Sequence, residues 1–354
     1  ECFAVRILQD NGYLESLEQK ITIFKNLIST IEPTNEGYSY TERKDLIKNI
    51  VTKQFFDYKY DYNNFLRNIK TDICYKFHLR TELPIKINIL HYKDCIVINF
   101  VIHHIAIDEL TKLKLFESLF YDGEVLTNIS LYPSLKKESF KKENEFWKNY
   151  LNKSYSINFS TNFNRNPINN HLGNRVYSKI ENFSDILEKK SRYLKVSEFS
   201  FLYTITAICF QVIMEDSPLI GIPSNNRNLY KVNPNELGYY VQVVPTIFEF
   251  PSNNAFAEVV KSTHDMLQQL LLNQTPDLND IMKNTRIDDS FTDSICPIMM
   301  TYENNSLEHD NLEELMVFND FSQNDITVLY KKNKNDLQIV IEYNETIYRR
   351  STIL

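Results

Sequence analysis

Apolar residues follow two different periods in the first third of the chain. Residues 83–90 alternate between apolar and polar side chains, and residues 95–102 form a near-continuous apolar run. The alternation predicts a strand with one buried face, and the run predicts a strand buried on both faces. From Glu109 the apolar residues recur every three to four positions, with an apolar face that continues to Phe120. This change of period predicts that a helix follows the buried strand directly.

Helical and strand periods alternate along the rest of the chain. Further strands are predicted at residues 3–8, 219–223, 239–250, 295–302 and 337–343, and further helices at residues 13–31, 136–150, 199–214 and 256–272. An Asn-rich segment with little periodicity, residues 152–174, separates two stretches of similar size and is typical of an interdomain connection. The pattern therefore predicts two α/β domains, residues 1–155 and 156–354.

The composition excludes several classes of function. The chain has 354 residues, of which 43% are hydrophobic and 24% charged, and its net charge is −7; this is typical of a soluble globular protein. The acidic balance argues against nucleic acid as a partner, because phosphate binding favours a basic surface. With only six glycines, the chain lacks the glycine-rich loops that hold nucleotide phosphates. No run reaches the roughly 18 apolar residues that span a bilayer, so no membrane association is predicted.

The five cysteines are scattered and never spaced as Cys-x-x-Cys, which argues against a disulfide framework and a zinc site. Buried thiols in a reducing cytoplasm fit this pattern. The first residues, 1–6, have no signal-peptide pattern and already resemble a strand. We therefore predict a cytoplasmic protein whose natural chain begins earlier.

Two consecutive histidines, His103 and His104, end the predicted buried strand, and Asp108 precedes the helix. Imidazole is the side chain best suited to taking and giving a proton near neutral pH. Adjacent strand residues point to opposite faces, so one histidine can face a cavity while the other supports it, with Asp108 as an orienting partner. From these residues alone, a catalytic pair and a packing feature are about equally well supported. The remaining histidines are isolated, and a metal site is not predicted.

Residues 102–108 resemble the His-His-x-x-x-Asp-Gly motif of nonribosomal peptide synthetase condensation domains and their relatives in the chloramphenicol-acetyltransferase superfamily. Other segments are similar to this family's motifs and occur in the family's order: residues 146–151, 221–227, 237–242, 273–276 and 289–302. Taken singly these are weak matches, but the ordered set covers nearly the whole chain.

The resemblance implies two acetyltransferase-like subdomains, residues 1–155 and 156–354, that form a V with an active-site tunnel between them. Acyl and peptidyl carrier proteins would deliver donor and acceptor on phosphopantetheine arms, and the product would be an amide or ester in nonribosomal peptide biosynthesis. The implied site residues are the catalytic His104, the supporting His103, Asp108 and Glu109, and the tunnel candidates Gly238, Tyr240 and Gln242. It implies no metal and no tightly bound cofactor, and either a monomer or part of a multidomain synthetase.

The chain departs from the family's motifs at Glu109, which replaces a glycine directly after residues 102–108, and at Gln242, which replaces an asparagine in residues 237–242. A carboxylate at position 109 is expected to pair with a cation or to lie along the first helical turn, where the helix dipole favours it. Two alternatives remain open: a free-standing acyltransferase with a small-molecule acceptor, and a noncatalytic docking domain that recruits a tailoring enzyme. An epimerisation domain is disfavoured because residues 221–227 contain no acidic residue.

The family's arginine in its Leu-Arg-Thr motif is also missing, and Ile28 stands in its place. In the family this arginine forms a salt bridge with the aspartate that matches Asp108. A buried Asp108 would then need another cation, because an unpaired buried charge is costly. Arg6 and Lys86 are the candidates from the neighbouring predicted strands.

Overall fold

The chain forms two compact units in the computed structural model, which describes residues 2–8, 12–34, 37–120, 140–153, 155, 160–165, 171–233, 236, 238–249, 253–285, 296–304, 311–315 and 317–354. The first unit comprises Glu1–Pro133, Tyr230–Val241 and Leu307–Asn319. The second comprises Ser134–Leu229, Gln242–Ser306 and Asp320–Leu354.

Helices and strands are interspersed along the described chain, in agreement with the predicted mixture of the two. In order they are β1 (Cys2–Ile7), α1 (Tyr13–Ile21), β2 (Ser29–Thr34), β3 (Gly37–Glu42), a 3-10 helix (Lys44–Asn49), β4 (Val51–Phe55), α2 (Tyr62–Ile73), β5 (Ile85–His91), β6 (Ile96–Ile102), α3 (Glu109–Phe120), α4 (Lys141–Tyr150), β7 (Gly173–Ile180), α5 (Ser184–Leu194), α6 (Glu198–Met214), β8 (Leu219–Asn225), α7 (Arg227–Tyr230), β9 (Val241–Ile247), α8 (Phe256–Leu272), α9 (Leu278–Thr285), β10 (Ile298–Glu303), β11 (Leu312–Leu315), β12 (Ile326–Lys332), β13 (Leu337–Asn344) and α10 (Arg350–Ile353). The mixed α/β fold class is thereby confirmed.

A five-stranded sheet in the order β11-β1-β6-β5-β4 is the centre of the first unit. Strand β6 lies in its middle, antiparallel to both β1 and β5. Ile98, Phe100 and Ile102 point into a core shared with α1 and α3, whereas Val97 belongs to a second core shared with α2. The prediction of a strand buried on both faces is confirmed for β6.

A six-stranded sheet in the order β7-β13-β12-β10-β8-β9 is the centre of the second unit. Strand β10 is parallel to both β8 and β12. On β8, a Cβ added at Gly221 would lie 2.3 Å from the Met299 sulfur and 2.8 Å from the Cys296 Cβ. Only a glycine therefore allows the strands to pack this closely here.

The two units differ from the predicted domains, residues 1–155 and 156–354, in three places. Helix α4 belongs to the second unit, where the buried Trp147 indole donates a hydrogen bond to the Asn273 carbonyl at 2.6 Å. Leu307–Asn319 and Tyr230–Val241 belong to the first unit. The first of these segments joins it because β11 pairs antiparallel with β1, with Leu312 opposite Ile7.

The helix predicted over residues 13–31 is wrong beyond Ile21. After α1 the chain makes a series of turns, and β2 then pairs antiparallel with β3. Leu27 and Ile28 are buried in the first core from these turns. The buried residues Ile21, Phe24, Leu27 and Ile28 recur every three to four positions, and this spacing mimics a helical period. The β-branched residues of β2 favour the strand.

Among the described residues, no single helix is long and apolar enough to cross a membrane; α5 and α6 meet that test only as a pair bent by 98°.

Candidate active site

The two histidines lie in a tight turn between β6 and α3. The His103 N–H donates to the Pro84 carbonyl at 2.8 Å, which continues the pairing of β6 with β5 by one residue. The Ala106 N–H then donates to the His103 carbonyl at 3.0 Å and closes the turn. Ala106 and Ile107 are fully buried. Strand β6 on one side and the buried Ala106 and Ile107 on the other therefore fix the position of the turn.

His103 is the inner, half-buried histidine. Its Nδ1 accepts the Ile105 N–H at 3.2 Å, so the neutral ring carries its proton on Nε2. The Phe77 ring lies edge-on to it with centroids 6.0 Å apart. Burial lowers the pKa of His103 below its ordinary value, and the neighbouring His104 lowers it further. His103 is thus a neutral ring fixed in place, as a supporting residue would be.

His104 is exposed and can reach solvent or a substrate. Its ring lies edge-on to the Tyr239 ring, with centroids 4.9 Å apart and an interplanar angle of 74°. Such an arrangement is favourable for aromatic rings and restricts the orientation of the imidazole. An exposed imidazole on a fixed frame can take or give a proton.

Asp108 is the N-cap of α3 and is buried, with 1% of its surface exposed. Its Oδ1 accepts the Thr111 N–H at 2.8 Å, the hydrogen bond expected of an N-cap aspartate. Its Oδ2 accepts the Tyr240 N–H at 3.1 Å. One carboxylate therefore both starts the helix and binds a segment that lies 132 residues further along the chain.

Thr111 holds the same segment through the backbone of Gly238. Its hydroxyl donates to the Gly238 carbonyl at 2.7 Å and accepts the Gly238 N–H at 2.9 Å. Gly238 has φ +152°, and an added Cβ would lie 2.8 Å from the Tyr240 ring. The position therefore requires glycine. Asp108 and Thr111 together place Tyr239 beside His104, and we call this arrangement the 238–240 clamp.

The two cations suggested for Asp108 have other partners. Arg6 pairs with Glu313 and lies over the Tyr60 ring, with its guanidinium carbon 4.8 Å from the ring centroid. The Lys86 ammonium lies 3.2 Å from the centroid of the Tyr75 ring. The suggestion was wrong because it relied on neighbouring strands, whereas Asp108 lies at the start of a helix and binds backbone N–H groups.

Comparison with known families matches residues 51–354 to the condensation domain model. The chain belongs to the condensation domain family. The match spans most of the chain and includes both the histidine turn and the 238–240 clamp. No curated protein sequence matches the chain.

Several solved structures with this fold are similar to the chain at low sequence identity. A four-domain nonribosomal peptide synthetase, in its holo form bound to AMP and glycine, matches 99% of this chain with a TM-score of 0.80 and 16% identity; this chain spans 30% of its length. The first condensation domain of the calcium-dependent antibiotic synthetase, in complex with a substrate analogue, matches 99% of this chain and 87% of its own, with a TM-score of 0.75 and 12% identity.

A third structure is the complex of the X-domain and OxyB from teicoplanin biosynthesis. Its match covers 100% of this chain and 84% of that chain, with a TM-score of 0.73 and 11% identity. At these identities the three structures show the shared fold of the condensation domain.

Glu109, the residue in the glycine position of the family motif, makes an ion pair within the first turn of α3. Its carboxylate lies 2.8 Å from the Lys112 ammonium, which is also 3.9 Å from a Glu314 oxygen. The side chain of Lys112 is largely buried between them, with 13% exposed. The predicted pairing of Glu109 with a cation is therefore present.

The three candidate tunnel residues lie in different units. Gly238 and Tyr240 are in the first unit, with the histidine turn, and the Tyr240 hydroxyl donates to Glu236 at 2.8 Å. Gln242 is in the second unit. Its side chain accepts from the Asn226 amide at 3.1 Å and donates to the Thr275 carbonyl at 3.0 Å. The tunnel itself stays a prediction.

Sequence reasoning missed Thr111, Tyr239 and Lys112. The spacing Asp108-x-x-Thr111 is the N-cap spacing, which could have identified Thr111 as the residue whose N–H is capped. Tyr239 lies inside segment 237–242, which resembles a family motif, but the sequence pattern assigned it no role in the site. Among the described residues, no three His, Cys, Asp or Glu side chains group in a way that could hold a metal ion.

Proposed function

We propose that this domain catalyses condensation-type acyl transfer, joining a carrier-bound acyl or aminoacyl thioester to an amine or hydroxyl acceptor. The product would be an amide or ester in nonribosomal peptide biosynthesis. Membership of the condensation domain family supports this class of activity. The single observation that carries the proposal is the exposed imidazole of His104, held beside Tyr239 on the turn that follows β6.

In the proposed reaction the acceptor nitrogen attacks the thioester carbonyl carbon. A C–N bond forms, the C–S bond breaks, and the pantetheine sulfur leaves as a thiolate. His104 takes the proton that the attacking nitrogen loses and returns it to the leaving sulfur, so that the enzyme is unchanged after each turnover. Positioning of the two reactants supplies further acceleration. His103, which is neutral and hydrogen-bonded to Ile105, fixes the turn and does not carry the proton.

The proposed partners are phosphopantetheine-loaded carrier proteins for donor and acceptor, bound weakly so that the product is released in each cycle. No metal or resident cofactor takes part in the proposed steps. The noncatalytic docking alternative draws support from Glu109 in the glycine position. The ion pair between Glu109 and Lys112 weakens that support, because it neutralises the carboxylate locally.

The proposal is tested by mixing the purified protein with a donor acyl-carrier protein and an acceptor aminoacyl-carrier protein, using a panel of loaded substrates. The product on the acceptor carrier is measured by mass spectrometry. We expect an amide or ester only when both carriers are loaded, and none when coenzyme A thioesters replace the donor carrier. Product with coenzyme A donors and a free small-molecule acceptor would instead indicate a free-standing acyltransferase. No product above the protein-free rate for the whole panel would contradict catalysis.

A further inference from the structure

A cavity of about 420 Å³ lies in the first unit, between the β2–β3 hairpin and the loop that follows α2. Its lining contains apolar, aromatic and polar side chains: Ile31, Pro33 and Leu79, then Tyr38 and Phe77, then His78, Arg80 and Thr81. We call it the hairpin pocket. The mechanism proposed above uses none of these side chains.

Backbone hydrogen bonds hold the loop side of the hairpin pocket in place. The Ile31 N–H donates to the Leu79 carbonyl at 2.8 Å and joins the loop to β2. The Thr81 and Glu82 N–H groups both donate to the His78 carbonyl, at 2.9 and 3.0 Å. The loop is therefore fixed before any ligand binds, which lowers the entropic cost of binding.

The two basic side chains of the pocket carry no counter-charge from the described residues. The nearest acidic residue in the loop, Glu82, already accepts the Tyr75 hydroxyl at 2.8 Å and also the His78 N–H. Neither the Arg80 guanidinium nor the His78 ring makes a hydrogen bond or ion pair with any described residue. Both side chains are exposed and can therefore reach a ligand. A guanidinium is suited to binding an anion through two parallel hydrogen bonds, and Arg80 lines this pocket together with apolar residues.

The two aromatic residues of the lining, Tyr38 and Phe77, indicate that the remaining part of the ligand is apolar. The Tyr38 ring is 54% exposed, which leaves its face available for packing. Phe77 lines the pocket on one side and packs edge-on against the His103 ring on the other. A group in the pocket would therefore lie one ring away from the histidine turn.

We infer that the hairpin pocket binds an anionic group carried on an apolar chain or ring. Arg80 and His78 bind the anion, and Ile31, Tyr38 and Phe77 pack against the apolar part. The inference is independent of the proposed function, because it concerns binding to the first unit and requires no acyl transfer.

Three probes with the same six-carbon chain test this inference: hexyl phosphate, hexanoate and hexylamine. Each is titrated into the full chain, and binding is followed by the amide NMR shifts of residues 77–81 and by calorimetry. We expect the two anions to bind and to move these signals, and hexylamine to do neither. The comparison of hexyl phosphate with hexanoate decides whether the pocket prefers a phosphate or a carboxylate.

Arg80→Gln should weaken binding of the anionic probes by about tenfold or more, as loss of a charged hydrogen bond implies. Arg80→Lys should retain part of the affinity, since it keeps the charge but not the paired donors. Tyr38→Ala should also weaken binding, because it removes an apolar wall. Arg67→Gln is the matched control: Arg67 is an exposed arginine on α2 with no bond to a described residue, and its replacement should change nothing.

Two results would overturn the inference. One is binding of hexylamine with the same affinity as the anions, which would make the pocket merely apolar. The other is equal affinity of the anions for wild type and Arg80→Gln, or an equal loss in Arg67→Gln. Because no carrier protein or transfer reaction enters these measurements, their failure leaves the proposed function untouched.

Discussion

The sharpest mutational test of the 238–240 clamp is Thr111→Val, which removes the hydroxyl and nearly preserves the shape. The Thr111 side chain is buried, with 3% exposed, and its hydroxyl makes two hydrogen bonds to Gly238, at 2.7 and 2.9 Å. Each buried hydrogen bond contributes about 1 kcal/mol, and burying its former partner unbonded costs about 1–3 kcal/mol. We therefore expect local destabilisation of about 2–4 kcal/mol.

Hydrogen exchange followed by mass spectrometry measures this effect where it occurs. A local loss of about 2 kcal/mol corresponds to roughly thirtyfold faster exchange of the Gly238 amide. The transfer rate should fall by about tenfold to a hundredfold, because Tyr239 loses its fixed position beside His104. Thr111→Ser keeps the hydroxyl and should retain most of the protection and activity.

Thr204→Val is a second control, since it removes one buried hydroxyl, whose hydrogen bond at 2.7 Å is to the Ser200 carbonyl of its own helix. It should leave both exchange at Gly238 and transfer unchanged. If Thr111→Val matches Thr204→Val in both measurements, the clamp does not hold the site.

Three further predictions concern the same turn. Burial lowers the pKa of His103 below its ordinary value of 6.5, so near this pH the unfolded chain binds more protons than the folded chain. The free energy of unfolding that the neutral ring contributes is therefore fully present above pH 6.5 and is lost as the pH falls below it. Urea unfolding should show that the free energy of unfolding falls more between pH 7 and pH 5 for wild type than for His103→Gln. Equal falls would refute a neutral, half-buried His103. Glu109→Gly should change the transfer rate little, and a large gain in this variant would instead indicate an impaired site. The proposed function implies that position 109 lies near the developing oxyanion; on that basis Lys112→Met should lower the transfer rate roughly tenfold, because it removes the cation paired with Glu109, and the added Glu109→Gln should restore it. Gly238→Ala should cost about 1–3 kcal/mol through its φ of +152° and the contact with Tyr240, and an unchanged melting temperature would contradict this.

The elements that carry the histidine turn could be predicted from the sequence, because each has a strong local pattern. The apolar run of β6 and the 3.6-residue period of α3 both lie within short stretches, and the structure has them at Ile96–Ile102 and Glu109–Phe120. The family could be recognised from the sequence because its motifs are short local segments and occur in the family's order.

The partners of the turn could not be predicted, because they are set by contacts distant in sequence. Strand β11 has four residues, Leu312–Leu315, too few for a period, and its place in the first sheet depends on pairing with β1. The hydrogen bonds between Thr111 and Gly238 join positions 127 residues apart. The end of α1 at Ile21 was not predicted for the same reason. It depends on the pairing of β2 with β3, which the helix-like spacing of apolar residues does not reveal.

The central claim is that His104 moves the proton in acyl transfer. The most direct measurement is the single-turnover transfer rate of His104→Ala against wild type, with both carriers loaded and saturating. We predict a fall of about a hundredfold to ten-thousandfold, as removal of a general base implies, with an unchanged melting temperature because the ring is exposed. A rate equal to that of wild type would contradict the claim and favour a noncatalytic docking domain.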